Sequence, residues 1–262
     1  MSERYGLIGK NISYSKSPKI HKHLAEKYHL EMAYELFDVE EKDIPHLFKH
    51  LRNGVFKGFN VTVPYKQTVM KYVDILTPKA SRIRAVNTVY VKNGKVVGDN
   101  TDYDGFMALI LRNRINVKEK KVYILGTGGA AKAAYVVLSD LGAKLTVVSR
   151  HPSIYEPLFQ KVIPYKKLDP FNVDIYVQAT PIGTYPKTTE SVLPKVYVEH
   201  QTVIDLIYNP LETQIMKDAK LGIGGLYMLI VQAIKAFEIW HDKKIDITDM
   251  LISELKEVIF SE

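Results

Sequence analysis

The segment Asn60-Val61-Thr62-Val63-Pro64-Tyr65-Lys66 holds the residue types of an acid–base site. It reads as a short strand that stops at a proline and then presents a lysine. Strand side chains alternate, so Val61 and Val63 point one way and Asn60 and Thr62 the other. Two hydrogen-bonding groups then share a face, with an amine just beyond it. Such a surface can hold a polyol or hydroxy acid while the lysine handles a proton. The plainer alternative is an edge strand capped by a surface lysine.

A second stretch, Gly126-Thr127-Gly128-Gly129-Ala130-Ala131, follows the apolar run Val122 to Leu125 and opens a small-residue helix. It fits the dinucleotide fingerprint with alanine last. Gly126 allows the tight turn, Gly128 a close backbone approach to a pyrophosphate, and Ala131 close helix–sheet packing. Free amides at the helix start face the phosphates. The next strand ends Val148-Ser149-Arg150. An NAD site usually carries an acid there. An arginine matches a 2′-phosphate, which favours NADP over NAD, although many arginines simply face solvent.

Elements must position these groups. Residues 4–103 alternate strand-like and helix-like patterns. Strands are expected over Tyr5–Gly9, Ala33–Val39 and Phe59–Val63. Helices are expected from Ser17-Pro18, with serine as N-cap and an Ile20, Leu24, Tyr28 face, then along the Ile44, Leu47, Phe48, Leu51 face ended by Asn53-Gly54, and over Val69–Leu76, closed by Pro78. Asn93-Gly94 between two β-rich runs signals a type I′ hairpin. A helix connects 104–115. Strands and helices then alternate, which implies a parallel sheet. The chain closes with helices over Tyr227–Trp240 and Ile247–Ile259.

Composition narrows the function classes. The chain has 262 residues and no cysteine, so disulfides, thiolate catalysis and cysteine-ligated zinc are excluded. No leader segment or membrane span is visible, which points to the cytoplasm. The net charge of +7 is scattered without a basic stripe, so nucleic-acid binding is not expected. Residues 1–102 carry 17 Lys and Arg against 11 Asp and Glu, a bias that suits an anionic small molecule.

Five further stretches complete the pattern: Ser13-Tyr14-Ser15-Lys16-Ser17-Pro18, Ala85-Val86-Asn87-Thr88, Asp99-Asn100-Thr101-Asp102, Asp205–Pro210 and Gly225–Ala233. Singly, each has a dull explanation as a cap, a turn or an exposed helix residue. Together with the lysine segment and the glycine turn, they closely resemble the shikimate dehydrogenase family, in order and spacing over essentially the whole chain.

The resemblance implies NADP-dependent interconversion of 3-dehydroshikimate and shikimate, a step towards chorismate and the aromatic amino acids. It implies an α/β fold with an N-terminal mixed α/β substrate domain (1–103) and a Rossmann-like NADP-binding domain (104–225). C-terminal helices (226–262) return to the substrate domain. Lys66 and Asp102 match the family's catalytic pair. Ser15 and Ser17 resemble hydroxyls that bind the substrate carboxylate. Thr62, Asn87 and Gln232 resemble ligands of the carboxylate and ring hydroxyls, with Asn60 supporting Lys66 and the strand. Tyr208 matches a tyrosine near the carboxylate and nicotinamide. Gly126, Thr127, Gly128, Gly129, Ala130, Ser149 and Arg150 match the cofactor site, and Thr180, Ile207, Gly225 and Met228 border the adenosine or nicotinamide. No metal is implied, and the family includes monomers and dimers.

The chain departs from the family pattern at Tyr14, where histidine is frequent, at Ser149, where asparagine is, and at Pro181 and Thr184, where serine and methionine are usual. These departures fall mainly on the cofactor side. Two rivals stay open: a quinate/shikimate dehydrogenase with relaxed substrate or cofactor choice, and a non-catalytic NADP-binding sensor.

Overall fold

The computed structural model describes residues 2–153 and 156–261. The chain divides into two compact units, Met1–Gly105 with Ile230–Glu262, and Phe106–Leu229.

The first unit is a mixed sheet flanked by helices. In chain order it contains β1 (Glu3–Gly9), α1 (Ser17–Lys27), β2 (Met32–Asp38), α2 (Ile44–Arg52), β3 (Gly58–Val61), β4 (Ile75–Leu76), α3 (Pro78–Ile83), β5 (Thr88–Lys92) and β6 (Lys95–Asp99). Among the described residues the sheet order is β2-β1-β3-β5-β6-β4. β1 runs parallel to β2 and β3, while β3–β5 and β5–β6 are antiparallel. The β5–β6 hairpin turns at Asn93 and Gly94, both at positive φ as a type I′ turn requires. The apolar face of α2 (Ile44, Leu47, Phe48, Leu51) packs with Ile8, Phe59, Val61 and Val89 in one core.

Three expectations need correction. Lys16, not Ser17, is the N-cap of α1. Ser17 is the first helical residue, and its amide donates to Ser15 Oγ at 3.3 Å. β3 ends at Val61, so the alternation does not continue: Val61 is buried and Val63 is 65% exposed. Residues 69–76 are not a helix. A 3₁₀ turn over Thr68–Tyr72 leads into β4, and Pro78 opens α3 rather than closing a helix. Thr77 provides that start, its hydroxyl accepting from Ala80 N.

Helix α4 (Asp102–Arg112) leads into the second unit, where β7 (Lys121–Leu125), α5 (Gly129–Asp140), β8 (Lys144–Ser149), β9 (Val162–Pro164) and β10 (Ile175–Gln178) follow. After these come α6 (Lys195–Val198), β11 (Thr202–Asp205), α7 (Gln214–Asp218) and β12 (Leu221–Gly224). The sheet is parallel throughout, in the order β12-β11-β10-β7-β8-β9. Counted within the unit this is 6-5-4-1-2-3, the doubly wound dinucleotide-binding order, which reverses direction between β7 and β10.

The chain ends in α8 (Leu226–His241) and α9 (Asp249–Phe260). Their later residues belong to the first unit. Trp240 Nε1 donates to the Val89 carbonyl at 3.2 Å, and Glu254 pairs with Lys27 at 2.7 Å. Among the described residues no helix is long and apolar enough to cross a membrane.

Candidate active site

The register of the first sheet sets Asn60 opposite Thr88, and Thr88 opposite Asp99. A row of polar side chains therefore crosses three strands at one end of the sheet. All three are buried. Asn87 precedes this row and Asn100-Thr101-Asp102 follows it, so the start of β5 and the start of α4 meet. Asn100 Oδ1 accepts from Asp102 N at 3.1 Å, which shapes the helix start. The Asp102 carboxylate then lies in the first turn of α4, where the helix dipole favours negative charge.

Lys66 reaches the same place from the turn after β3. Its carbonyl accepts from Val86 N at 2.7 Å, which pins it beside Asn87. Buried Tyr65 anchors the turn, its hydroxyl donating to the Val39 carbonyl at 2.7 Å. Lys66 Nζ donates to Asp102 Oδ2 at 2.6 Å. Asn87 Nδ2 donates to the other carboxylate oxygen, Oδ1, at 2.8 Å. Asn87 Oδ1 in turn accepts from Thr101 N at 2.7 Å. Lys66, Asp102 and Asn87 are thus brought together, with the ammonium and carboxylate nearly withdrawn from water.

The other residues expected to bind substrate divide. Asn60 does not bond to Lys66. Its amide holds the Asn87 carbonyl and the Thr88 hydroxyl. Thr62 lies just past β3, half-buried, its amide donating to the Ile8 carbonyl at 2.9 Å. Ser15 and Ser17 share the turn into α1. Gln232 lies on α8 within the first unit, and Tyr208 follows β11 in the second.

In the second unit, Gly126 ends β7 at φ 110°, a conformation that favours glycine, with its Cβ direction 3.1 Å from the Ala179 carbonyl oxygen. The turns after β7 and β10 therefore touch at the point where the strand order reverses, and Thr180 lies there too. Thr180 is held by Gln178, whose Oε1 accepts both its amide and its hydroxyl at 3.0 Å. Thr127 and Gly128 are exposed at the start of α5, with Gly129 and Ala130 in its first turn. A methyl group placed on Gly128 would meet nothing within 4 Å. Open space therefore fronts the free amides of this helix, the arrangement a pyrophosphate needs. Ser149 Oγ accepts from His151 N at 3.0 Å, shaping the turn that leaves Arg150 exposed. Gly225 packs against the Leu206 backbone, and Ile207 and Met228 are buried.

Residues 7–89 match the family model described as the shikimate dehydrogenase substrate binding domain. The shikimate dehydrogenase (NADP(+)) of Clostridium beijerinckii is 40% identical over 253 residues, covering 93% of this chain and 94% of that protein. The chain belongs to the shikimate dehydrogenase family. Shikimate dehydrogenase 1 from Peptoclostridium difficile has the same fold, with a TM-score of 0.89 at 39% identity over 99% of this chain and 100% of that one. Shikimate 5-dehydrogenase from Thermus thermophilus, solved with NADP(H) and shikimate, gives a TM-score of 0.86 at 30% identity over 98% of each chain.

For a shikimate dehydrogenase, sequence reasoning overlooked several residues that organise these sites. The Thr88 and Thr101 hydroxyls donate to Asn87 Oδ1, and Gln178 shapes the loop after β10. Thr88 and Thr101 adjoin Asn87 and Asp102, and Gln178 stands two residues before Thr180, which is a weak signal.

Proposed function

We propose that this protein catalyses the reversible NADPH-dependent reduction of 3-dehydroshikimate to shikimate. Family membership supports the reaction. The observation that carries the residue assignment is the 2.6 Å contact between Lys66 Nζ and Asp102 Oδ2, with Asn87 on the second carboxylate oxygen. A lysine held by a carboxylate, in a setting largely shut off from water, can transfer a proton without diffusing from its place.

The nucleotide fits the second unit. Gly126, Thr127, Gly128, Gly129 and Ala130 would hold the pyrophosphate, and Ser149 and Arg150 the 2′-phosphate. Thr180, Ile207, Tyr208, Gly225 and Met228 would border the adenosine or nicotinamide. Bound there, NADP(H) supplies or accepts the hydride. In reduction, Lys66 gives its proton to the developing alkoxide oxygen; in oxidation it takes the hydroxyl proton. Asp102 keeps the ammonium in place and returns it to the same position after each transfer. Ser15 and Ser17 offer hydroxyl donors to the carboxylate without burying another cation. Thr62 and Gln232 both donate and accept, and Asn87 keeps a second N–H beside the one given to Asp102, which suits ring hydroxyls. We take the enzyme to work in the cytoplasm as a monomer or homodimer.

The test is NADPH formation by pure protein from shikimate and NADP, run beside quinate and NAD. We expect shikimate with NADP to give the highest kcat/KM. Equal or better rates with quinate or NAD would favour the relaxed enzyme, and no turnover with any pair would favour a sensor.

A further inference from the structure

Behind the Lys66–Asp102 pair lies a second layer of buried polar side chains whose donors and acceptors run in one direction. Asn60 Oδ1 accepts from the Tyr34 hydroxyl at 2.8 Å and from His21 Nε2 at 3.1 Å. Its Nδ2 faces the Asn87 carbonyl and the Thr88 hydroxyl, each at 3.3 Å. The opposite amide orientation would set Oδ1 against the Asn87 carbonyl oxygen, acceptor against acceptor, so the direction is determined. His21 therefore carries its proton on Nε2. It is fully buried and stacks on Tyr34 with ring centroids 4.4 Å apart. Burial pushes its pKa down to about 3, so the ring is neutral. Burial raises the Tyr34 phenol well above its ordinary range and outweighs the lowering by its hydrogen bond with the Ser17 side chain, so that donor keeps its proton. A Tyr34 change also touches Ser17, and the KM for shikimate reads that separately from kcat.

The direction continues towards the site. Thr88 Oγ1 accepts from Asn60, which leaves its own proton for Asn87 Oδ1 at 3.0 Å or Thr101 Oγ1 at 3.1 Å. Asn87 Oδ1 also accepts from Thr101 N. Donors occupy that oxygen, so Asn87 presents N–H to Asp102.

We propose that His21 and Tyr34 are positioning residues for the Lys66–Asp102 pair, acting through the ordered amides of Asn60 and Asn87. This rests on the reading that the pair handles the substrate proton. Two neutral donors on one amide oxygen hold Asn60. Asn60 holds the carbonyl and hydroxyl that frame Asn87, and Asn87 holds the carboxylate to which Lys66 returns. The amides of Asn60 and Asn87 have their partners, while His21 Nδ1 is buried without one; a buried network of this kind loosens when a donor that an amide oxygen uses is lost. The neutral state of His21 matters because a charged ring would place a second cation behind the reacting lysine.

Tyr34→Phe keeps the ring and removes one donor. His21→Leu removes the other, and His21→Gln restores an N–H. We expect Tyr34→Phe and His21→Leu each to lower kcat for shikimate oxidation about five- to tenfold. The KM for NADP should stay within about twofold. The midpoint of the kcat–pH profile should move by about half a pH unit or more, because the carboxylate beside Lys66 is less firmly held. His21→Gln should recover most of the rate. If His21→Leu does not fold, Thr88→Val interrupts the same chain from the other side. A folded Tyr34→Phe variant with the parental kcat and pH midpoint would overturn the proposal. ¹⁵N NMR titration of the Lys66 amine, in parent and Tyr34→Phe, needs no turnover. A parent inactive towards shikimate removes the functional reading, whereas a Lys66 titration identical in both proteins removes the positioning role.

Discussion

Lys66 Nζ lies 2.6 Å from Asp102 Oδ2, and the two side chains are only 14% and 8% exposed. Asn87 holds the other carboxylate oxygen, so both carboxylate oxygens are satisfied by neighbours of fixed position. Removing the amine should affect rate and stability separately. Lys66→Ala is expected to lower kcat about a hundred- to ten-thousandfold while changing the KM for shikimate modestly. It should also cost about 3 kcal/mol of stability, because a buried carboxylate loses its cation. Initial rates of NADPH formation and urea unfolding measure the two effects. A variant with near-parental kcat would show that another group moves the proton.

Arg150 stands exposed after β8, on a turn shaped by Ser149 Oγ. If it receives the 2′-phosphate, Arg150→Ala should raise the KM for NADP about tenfold or more, the weight of charge-assisted hydrogen bonds. The KM for NAD should hardly change. Parallel losses with both nucleotides would mean that the arginine serves the loop and not the phosphate.

Two glycines separate binding from folding. At Gly128 an added methyl meets nothing within 4 Å, while at Gly225 it would lie 2.5 Å from the Leu206 carbonyl oxygen. Gly128→Ala should therefore leave the melting temperature unchanged and raise the KM for NADP, because the methyl stands where the pyrophosphate approaches. Gly225→Ala should destabilise by about 1–3 kcal/mol, since backbone must shift to admit it. Thermal melts and nucleotide titrations of both variants check the contrast.

His21 gives stability a defined pH dependence. Its folded pKa of about 3 lies below the ordinary value of 6.5, so below that value the unfolded chain takes up the extra proton. The contribution is fully present above pH 6.5 and is lost as pH falls towards 3, by at most about 1.4 kcal/mol per pH unit. Asp205 has the opposite sign. Burial raises its carboxyl from 3.8 to about 6, so its contribution is present below pH 4 and lost as pH rises to 6. Urea unfolding across pH 4–7 should show a shallower acid decline in His21→Gln. In Asp205→Asn the loss of stability between pH 4 and 6 should disappear from the transition that reports the second unit. Curves identical to the parent would contradict the assigned ionisations.

Features that depend on nearby residues were legible in the sequence. The Asn93-Gly94 hairpin, the α2 face and the glycine turn each combine local chemistry with a short period. Residues 69–76 misled because a short apolar run fits either period, and pairing with β6 made its end a strand. Pro78 misled because proline serves a helix start as readily as it follows a helix end. At the site, Lys66, Asp102 and Asn87 were legible through the family motifs. The layer behind them was not. Tyr34, Asn60 and Thr88 meet through sheet register, and His21 joins them from helix α1, 39 residues from Asn60 in sequence. Register and the seating of a helix on a sheet are properties of packed elements; Asn60 stood out as a motif residue, but the spacing of the four carries no trace of their meeting.

The bond from Trp240 Nε1 to the Val89 carbonyl joins residues 151 apart. During translation the strands β1 to β6 leave the ribosome well before Trp240 and the Glu254 partner of Lys27. The second unit is continuous and can complete its core as it emerges. The earlier-made unit must wait for α8 before Tyr5 and Val89 meet Trp240. The order of synthesis is thus reversed in the order of completion: the unit begun earlier is the one finished later.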